Sequence, residues 1–186
     1  MSLKTHSLSV KTSGGLLVMR EVARKHKEKI WERIEEMEAN HVLKLDFKNI
    51  KFIDVSCADE LVVRILARLE AGELVDRYII LSQVRNQHRE NIDTALKVAK
   101  KTVIVADGEG WDFLGDLIKS YQEVLTHVVE KQNITAKQVQ GEMRYQSVNQ
   151  ASSILGALHQ KRLIAREPYR RPVRGGGRQF RYLSLL

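Results

Sequence analysis

Apolar positions recur along this chain in two rhythms, and the switches between them outline its elements. "LSVK" reads as an opening strand ahead of a turn at "TSGG". From Leu16 to Asn40, the spacing of Val22, His26, Ile30 and Ile34 among Lys and Glu predicts a long amphipathic helix. In "HVLKLDF", Val42, Leu43, Leu45 and Phe47 follow a strand rhythm, and "KFIDV" predicts a second strand. Leu61, Val62, Ile65, Leu66 and Leu69 mark another helix, which stops near Gly72. "RYIIL" is a short buried strand, Ile92, Leu96 and Ala99 lie on a third helix, and "TVIV" is the last strand. Such alternation predicts an α/β layer architecture, a mostly parallel sheet with helices.

The alternation stops at "ADGEGWDF", where Gly108 and Gly110 flank acidic residues. The expected organisation is a first domain over residues 1–106, a linker over 107–111 and a second domain over 112–186. Beyond the linker, Leu114, Leu117, Ile118, Tyr121, Val124, Leu125, Val128 and Val129 hold helical spacing. Two short helices follow. Thr135 caps the first, with Val139 and Met143 inward, and Ser147 caps the second. The second helix turns Ala151, Ile154, Leu155 and Leu158 inward. At about 100° per residue its opposite side carries Asn149, Ser153, Gly156 and Gln160, with Gln150 and Ser152 on the flanks. That outer face is polar, short-chained and uncharged. Asn and Gln suit an adenine edge in the major groove, and Ser suits either base edge. A plain solvated surface of modest helix propensity is the alternative.

"LIAREPY" and "RQFRYLSL" are candidate strands joined by "RRPVRGGG". Pro168 implies an edge strand, Pro172 restricts the approach to the tip, and Gly175, Gly176 and Gly177 permit the positive φ of a hairpin tip. Charge sharpens this picture. From residue 134 onward ten Lys and Arg face only Glu142 and Glu167, so this segment carries the whole net charge of +8. The balance predicts a polyanionic partner for the C-terminal part alone. Arg166, Arg170, Arg171, Arg174, Arg178 and Arg181 can then grip phosphates or enter a narrow minor groove.

Helix, helix, polar-faced helix, "KRLIAR" and a basic hairpin together resemble the winged helix-turn-helix domain of bacterial transcription regulators, over residues 112–186. The resemblance implies an α+β domain whose third helix reads the major groove through Ser147, Asn149, Gln150, Ser152 and Ser153. The six arginines of the hairpin would form the DNA-binding wing. It also implies a homodimer, as many such regulators are two-fold symmetric. Winged helices serve in addition as protein-docking modules.

In the first domain, "LVMREVARKH" and "LDFKNIKFIDVSCADEL" resemble the STAS-like family of uncharacterised bacterial domains, over about residues 14–106. More distantly they are similar to STAS domains of anti-anti-sigma factors, in which an Asp-Ser-Ser-Gly turn carries a phosphorylated serine. This puts Asp54 in the aspartate position and Ser56 in the phosphoserine position, with Val55 and Cys57 replacing the other serine and the glycine. Two readings of Ser56 stand side by side. It caps a helix whose first turn holds Asp59 and Glu60, or it is a regulatory site together with Asp54 and Asp59.

Other chemistry finds little footing. A single cysteine, Cys57, forms no internal disulfide framework, and the six histidines show no metal-ligand spacing. "TSGG" and "RGGG" lack the ending of a phosphate loop. No apolar run approaches the roughly 18–20 residues of a membrane span, and the N-terminus lacks a secretory pattern. The expectation is a cytoplasmic, non-enzymatic transcriptional regulator without cofactor, metal or membrane partner. Its partners are double-stranded DNA and, through the STAS-like domain, a protein, a ligand or a second copy. The rival is a signalling adaptor of anti-anti-sigma type that docks on an ATPase or kinase-like protein.

Overall fold

The computed structural model describes residues 3–108, 110–169 and 179–186 and divides into two compact units, Met1–Leu117 and Ile118–Leu186. The first runs β1 (Lys4–Ser9), a 3-10 turn (Ser13–Gly15), β2 (Leu16–Leu17), α1 (Arg20–Glu35), β3 (His41–Asp46) and β4 (Phe52–Ile53). It continues with α2 (Val55–Ala58), a π turn (Asp59–Val63), α3 (Arg64–Glu70), β5 (Arg77–Ser82), α4 (Asn86–Val98), β6 (Thr102–Asp107) and β7 (Gly110–Gly115).

Five of these strands form one sheet in the order β1-β3-β5-β6-β7, with three parallel pairings and an antiparallel β7. Because each crossover steps in the same direction, right-handed connections carry the helices to one face. The core agrees. Leu43, Leu45, Ile79, Leu81, Val103, Val105 and Leu114 from the sheet cluster with Ile30, Trp31 and Ile34 of α1, Leu61, Ile65 and Leu69, and Ile92 and Leu96 of α4. The opposite side of the sheet is apolar too, with Val42, Tyr78, Ile80 and Ile104. Mixed α/β architecture with a mostly parallel sheet is thus what the alternating pattern predicts.

Several boundaries differ from the sequence expectation. The opening strand lies earlier, at Lys4–Ser9, where it pairs in parallel with β3. The first helix begins only at Arg20, because Leu16 and Leu17 leave it to pair with Phe52 and Ile53 in a separate two-stranded ribbon. For the same reason "KFIDV" supplies a short strand outside the main sheet.

The expected linker at 107–111 is a correction of larger scale. Its two glycines belong to a hairpin, and residues 110–115 return antiparallel along β6, from Asp107↔Gly110 to Thr102↔Gly115. Leu114 and Leu117 therefore belong to the first unit, and the break falls at 117/118. Gly115 is needed where it sits: its φ is +104° and a Cβ would collide with the carbonyl of Lys101. Its N–H donates to Asp93 Oδ1 of α4 at 2.8 Å, which ties the edge strand to the helix layer.

The second unit runs α5 (Lys119–Lys131), β8 (Asn133–Thr135), α6 (Ala136–Glu142), α7 (Val148–Gln160), β9 (Ala165–Pro168) and β10 (Phe180–Leu183). Its three strands form an antiparallel sheet in the order β8-β10-β9, which leaves Pro168 on an edge strand as its chemistry requires. Val124, Leu125 and Val128 of α5, Val139 of α6 and Ala151, Leu155 and Leu158 of α7 are buried with Ile134, Leu163 and Tyr182. Thr135 and Gln138 form a reciprocal capping box that starts α6. His127 and Lys131 of α5 hold Glu142 at the end of α6, at 2.9 and 3.2 Å.

Candidate functional site

The candidate reading helix starts where its cap requires. Ser147 has extended backbone angles and its hydroxyl accepts the N–H of Gln150 at 3.2 Å. Five residues, 143–147, separate α6 from α7. Arg144 there takes a left-handed φ of 57°, and Tyr145 N–H closes back onto the Gln140 carbonyl at 3.0 Å. The core takes Ala151, Ile154, Leu155 and Leu158. Asn149, Gln150 and Ser153 are exposed with Ser147, while Ser152 is half-buried.

Beside this first turn lies a cleft of about 290 Å³. Asn149 and Ser152 line it from α7, Thr135 and Lys137 from the start of α6, and Gln179, Phe180 and Tyr182 from the β10 strand. Thr135, Lys137 and Gln179 were not among the DNA-contacting residues expected from the sequence. The capping pattern at Thr135 was legible, but its closeness to α7 depends on how β8 pairs with β10.

The two described arginines of the basic hairpin behave differently. Arg166 lies opposite Tyr182, on the same strand-pair face as Phe180, and its guanidinium sits 4.5 Å from the centre of that ring. Arg181 points to the other face, where Glu167 directly opposite takes it at 3.7 Å and the Tyr169 ring lies 5.0 Å away. Arg181 is thus tied within the strand pair, which reduces its use as a wing cation. Arg170, Arg171, Arg174 and Arg178, with Pro172 and the glycine triplet, lie outside the described residues.

In the first unit the turn after β4 corrects the expectation that Ser56 caps the helix. Asp54, not Ser56, is the N-cap: its Oδ1 accepts the Cys57 N–H at 2.7 Å and the Ser56 hydroxyl at 2.8 Å. Burial pushes the Asp54 carboxyl up, but these donors outweigh it and leave it below the ordinary aspartate range. Ser56 stands one residue inside the helix start and is exposed. Cys57 is fully buried; burial, with Asp54 beside it, raises its thiol to about 11, so it is protonated and unreactive at neutral pH.

The neighbouring acids are neutralised by α1. Arg20 reaches Asp59 at 3.2 Å, and Lys27 reaches Glu60 at 2.6 Å, with Arg24 at 3.8 Å. The Lys27 hydrogen bond holds Glu60 below the ordinary glutamate range against its burial. Asp59 also meets Arg64 at 3.5 Å. An acidic group so occupied has little left for a metal. Among the described residues no cluster of three or more His, Cys, Asp or Glu could hold one.

The parallel register does bring two histidines together that lie far apart in sequence. His6 Nε2 and His41 Nδ1 are 3.1 Å apart on β1 and β3. Burial, then His41, Arg33 and Lys4, lower the His6 pKa, which makes the pair a poor host for a further cation. His26 is half-buried on α1, short of the core position its spacing implied.

A second cleft, of about 240 Å³, lies at the carboxyl end of β6 and is lined by Arg89, Asp107, Trp111 and Asp112. Its acids are occupied, Asp107 by the Gln83 N–H and Asp112 by Arg89. Among the described residues no helix is long and apolar enough to cross a membrane. No protein-family model, curated protein or solved structure matches the chain.

Proposed function

We propose that the chain is a DNA-binding protein, in simplest form a transcriptional regulator, in which the second unit is a winged helix and the first a STAS-like partner domain. One observation carries the reading. The first two turns of α7 expose Asn149, Gln150 and Ser153 with no charge among them, beside a strand pair whose connection holds Arg170, Arg171, Arg174 and Arg178 in sequence. Uncharged amide and hydroxyl groups discriminate base edges, while guanidinium groups neutralise phosphates and give affinity that falls with salt. Arg166 stands on the α7 side of that strand pair and joins the phosphate contacts. A two-fold dimer of this chain would read two half-sites about one helical turn apart.

Titrating the full chain onto random-sequence duplex at several salt concentrations tests the reading. Binding that tightens steeply as salt falls is expected; no binding at low salt overturns it. Selection of bound genomic fragments then names the sequence.

One observation favours a second reading, the adaptor. Leu16, Val18, Met19, Phe52 and Val55 are each 38–57% exposed around the paired β2 and β4 ribbon, next to Ser56. Apolar groups gathered at one place suit a protein partner. A phosphate added to Ser56 would set charge against Asp54, undo the cap and repel such a partner. The adaptor reading gains if a stoichiometric protein co-purifies and duplex binding is absent.

A further inference from the structure

We infer that Val148 reads the C5-methyl group of a thymine, in the base pair next to the one Asn149 contacts. The inference rests on the DNA-binding reading above and assigns a specificity-determining residue to the same face.

Val148 is the first residue of α7 and is 42% exposed. At about 100° per residue it lies close to the line of Ala151 and Leu155, on the flank of the buried stripe. The stripe is covered from Ala151 onward, whereas Val148 projects past the end of the core. A lone exposed valine is ordinary in itself; its position is not. It lies between the Ser147 cap and Asn149, and with Asn149 and Ser152 it lines the cleft that Phe180 and Tyr182 close from the strand side. Capping fixes where the helix begins, and a β-branched side chain has little χ1 freedom at a helical position, so its two methyl groups are held in place. Helix propensity offers no reason for valine there, since a straight-chain residue would be better tolerated.

The chemistry of the ligand follows from the groove. Base edges in the major groove are hydrogen-bond donors and acceptors, except for the thymine methyl. An apolar side chain presented there beside an amide therefore matches a thymine beside an adenine. Valine against any other base edge would strip water from a polar group without replacing its bond.

The test uses a duplex selected by the full chain. Each thymine is replaced in turn by deoxyuridine, which removes the methyl group and nothing else. For the natural chain one position is expected to weaken binding by about fourfold, the worth of one buried carbon. In Val148→Ala that position loses its effect, while Val148→Thr, which keeps the branch and one methyl, retains part of it. Thermal melts of both variants are expected to match the natural chain, because the side chain lies outside the core. Selective binding that ignores every deoxyuridine, or a methyl effect undiminished in Val148→Ala, overturns the inference alone. Failure of the natural chain to bind any duplex at low salt removes the DNA-binding reading and this inference with it.

Discussion

The outer faces of α1 and α7 show how differently the two units treat charge. Helix α1 is covered in Lys, Arg and Glu, and its cations turn back onto the same unit: Arg20 to Asp59, Lys27 to Glu60, Arg33 to Glu36. Arg68 stacks over Trp31 at 3.6 Å and meets Glu73 at 2.6 Å, and Lys101 meets Glu70. Helix α7 exposes amides and hydroxyls instead, and from residue 134 on the cations outnumber the acids ten to two. A surface that neutralises itself gains solubility and a little stability. One that leaves a single sign in excess creates a field that an anion can answer. This contrast is why the second unit is the better place to look for a nucleic acid.

The sharpest way to break that contrast is to remove the excess. Changing Arg170, Arg171 and Arg174 to Ala is expected to cut random-duplex affinity by about two to three orders of magnitude at 0.1 M salt and to flatten the salt slope by about 2 to 3. An unchanged slope in the salt titration would end the comparison. In the first unit the equivalent injury is to stability. Lys27→Met leaves Glu60, 6% exposed, with only the more distant Arg24. A loss of about 3 kcal/mol in urea unfolding is expected, followed through Trp31 and Trp111, both of which lie in this unit.

A smaller change of opposite sign tests the interior. His88 is fully buried on α4 and neither ring nitrogen has a hydrogen-bond partner. Replacing it with Phe removes two unsatisfied polar atoms, so the first unit should gain about 1 to 2 kcal/mol; a loss would mean that His88 is held by a bridging group. The smallest effect is at the cap. Asp54→Ala should cost about 1 kcal/mol near neutral pH. Because the folded carboxyl lies below its ordinary value of 3.8, that contribution is complete above this pH and disappears as acid titrates the folded form. The natural chain and Asp54→Ala should therefore converge in stability well below pH 4, as read from melts across an acid series.

Much of this was legible beforehand because burial is periodic. The stripes of α1, α3, α4 and α7 and the apolar runs of β3, β5 and β6 all followed from spacing, and Thr135 and Ser147 followed from capping chemistry. Local rules misread two turns as well as several boundaries. Gly108 and Gly110 carry the composition of a linker, but a hairpin uses glycine for the same conformational freedom, and only pairing along β6 tells the two apart. Asp54 and Ser56 are both good caps by type, and the backbone bend at Asp54 selects between them. Val148 drew no reading from the sequence, because it falls on the edge of a buried stripe, where spacing alone says nothing about how far the core extends.

By itself the sequence determined the kinds and order of most elements, the mostly parallel sheet and the concentration of cations toward its end, since each depends on residues near one another in the chain. Tertiary structure alone decided the partners. Strand register joined His6 to His41, set Glu167 against Arg181 while leaving Arg166 over Phe180, and brought the start of α6 to the first turn of α7. Such meetings depend on long-range pairing and closure of the chain, which a local pattern of apolar and polar residues does not encode.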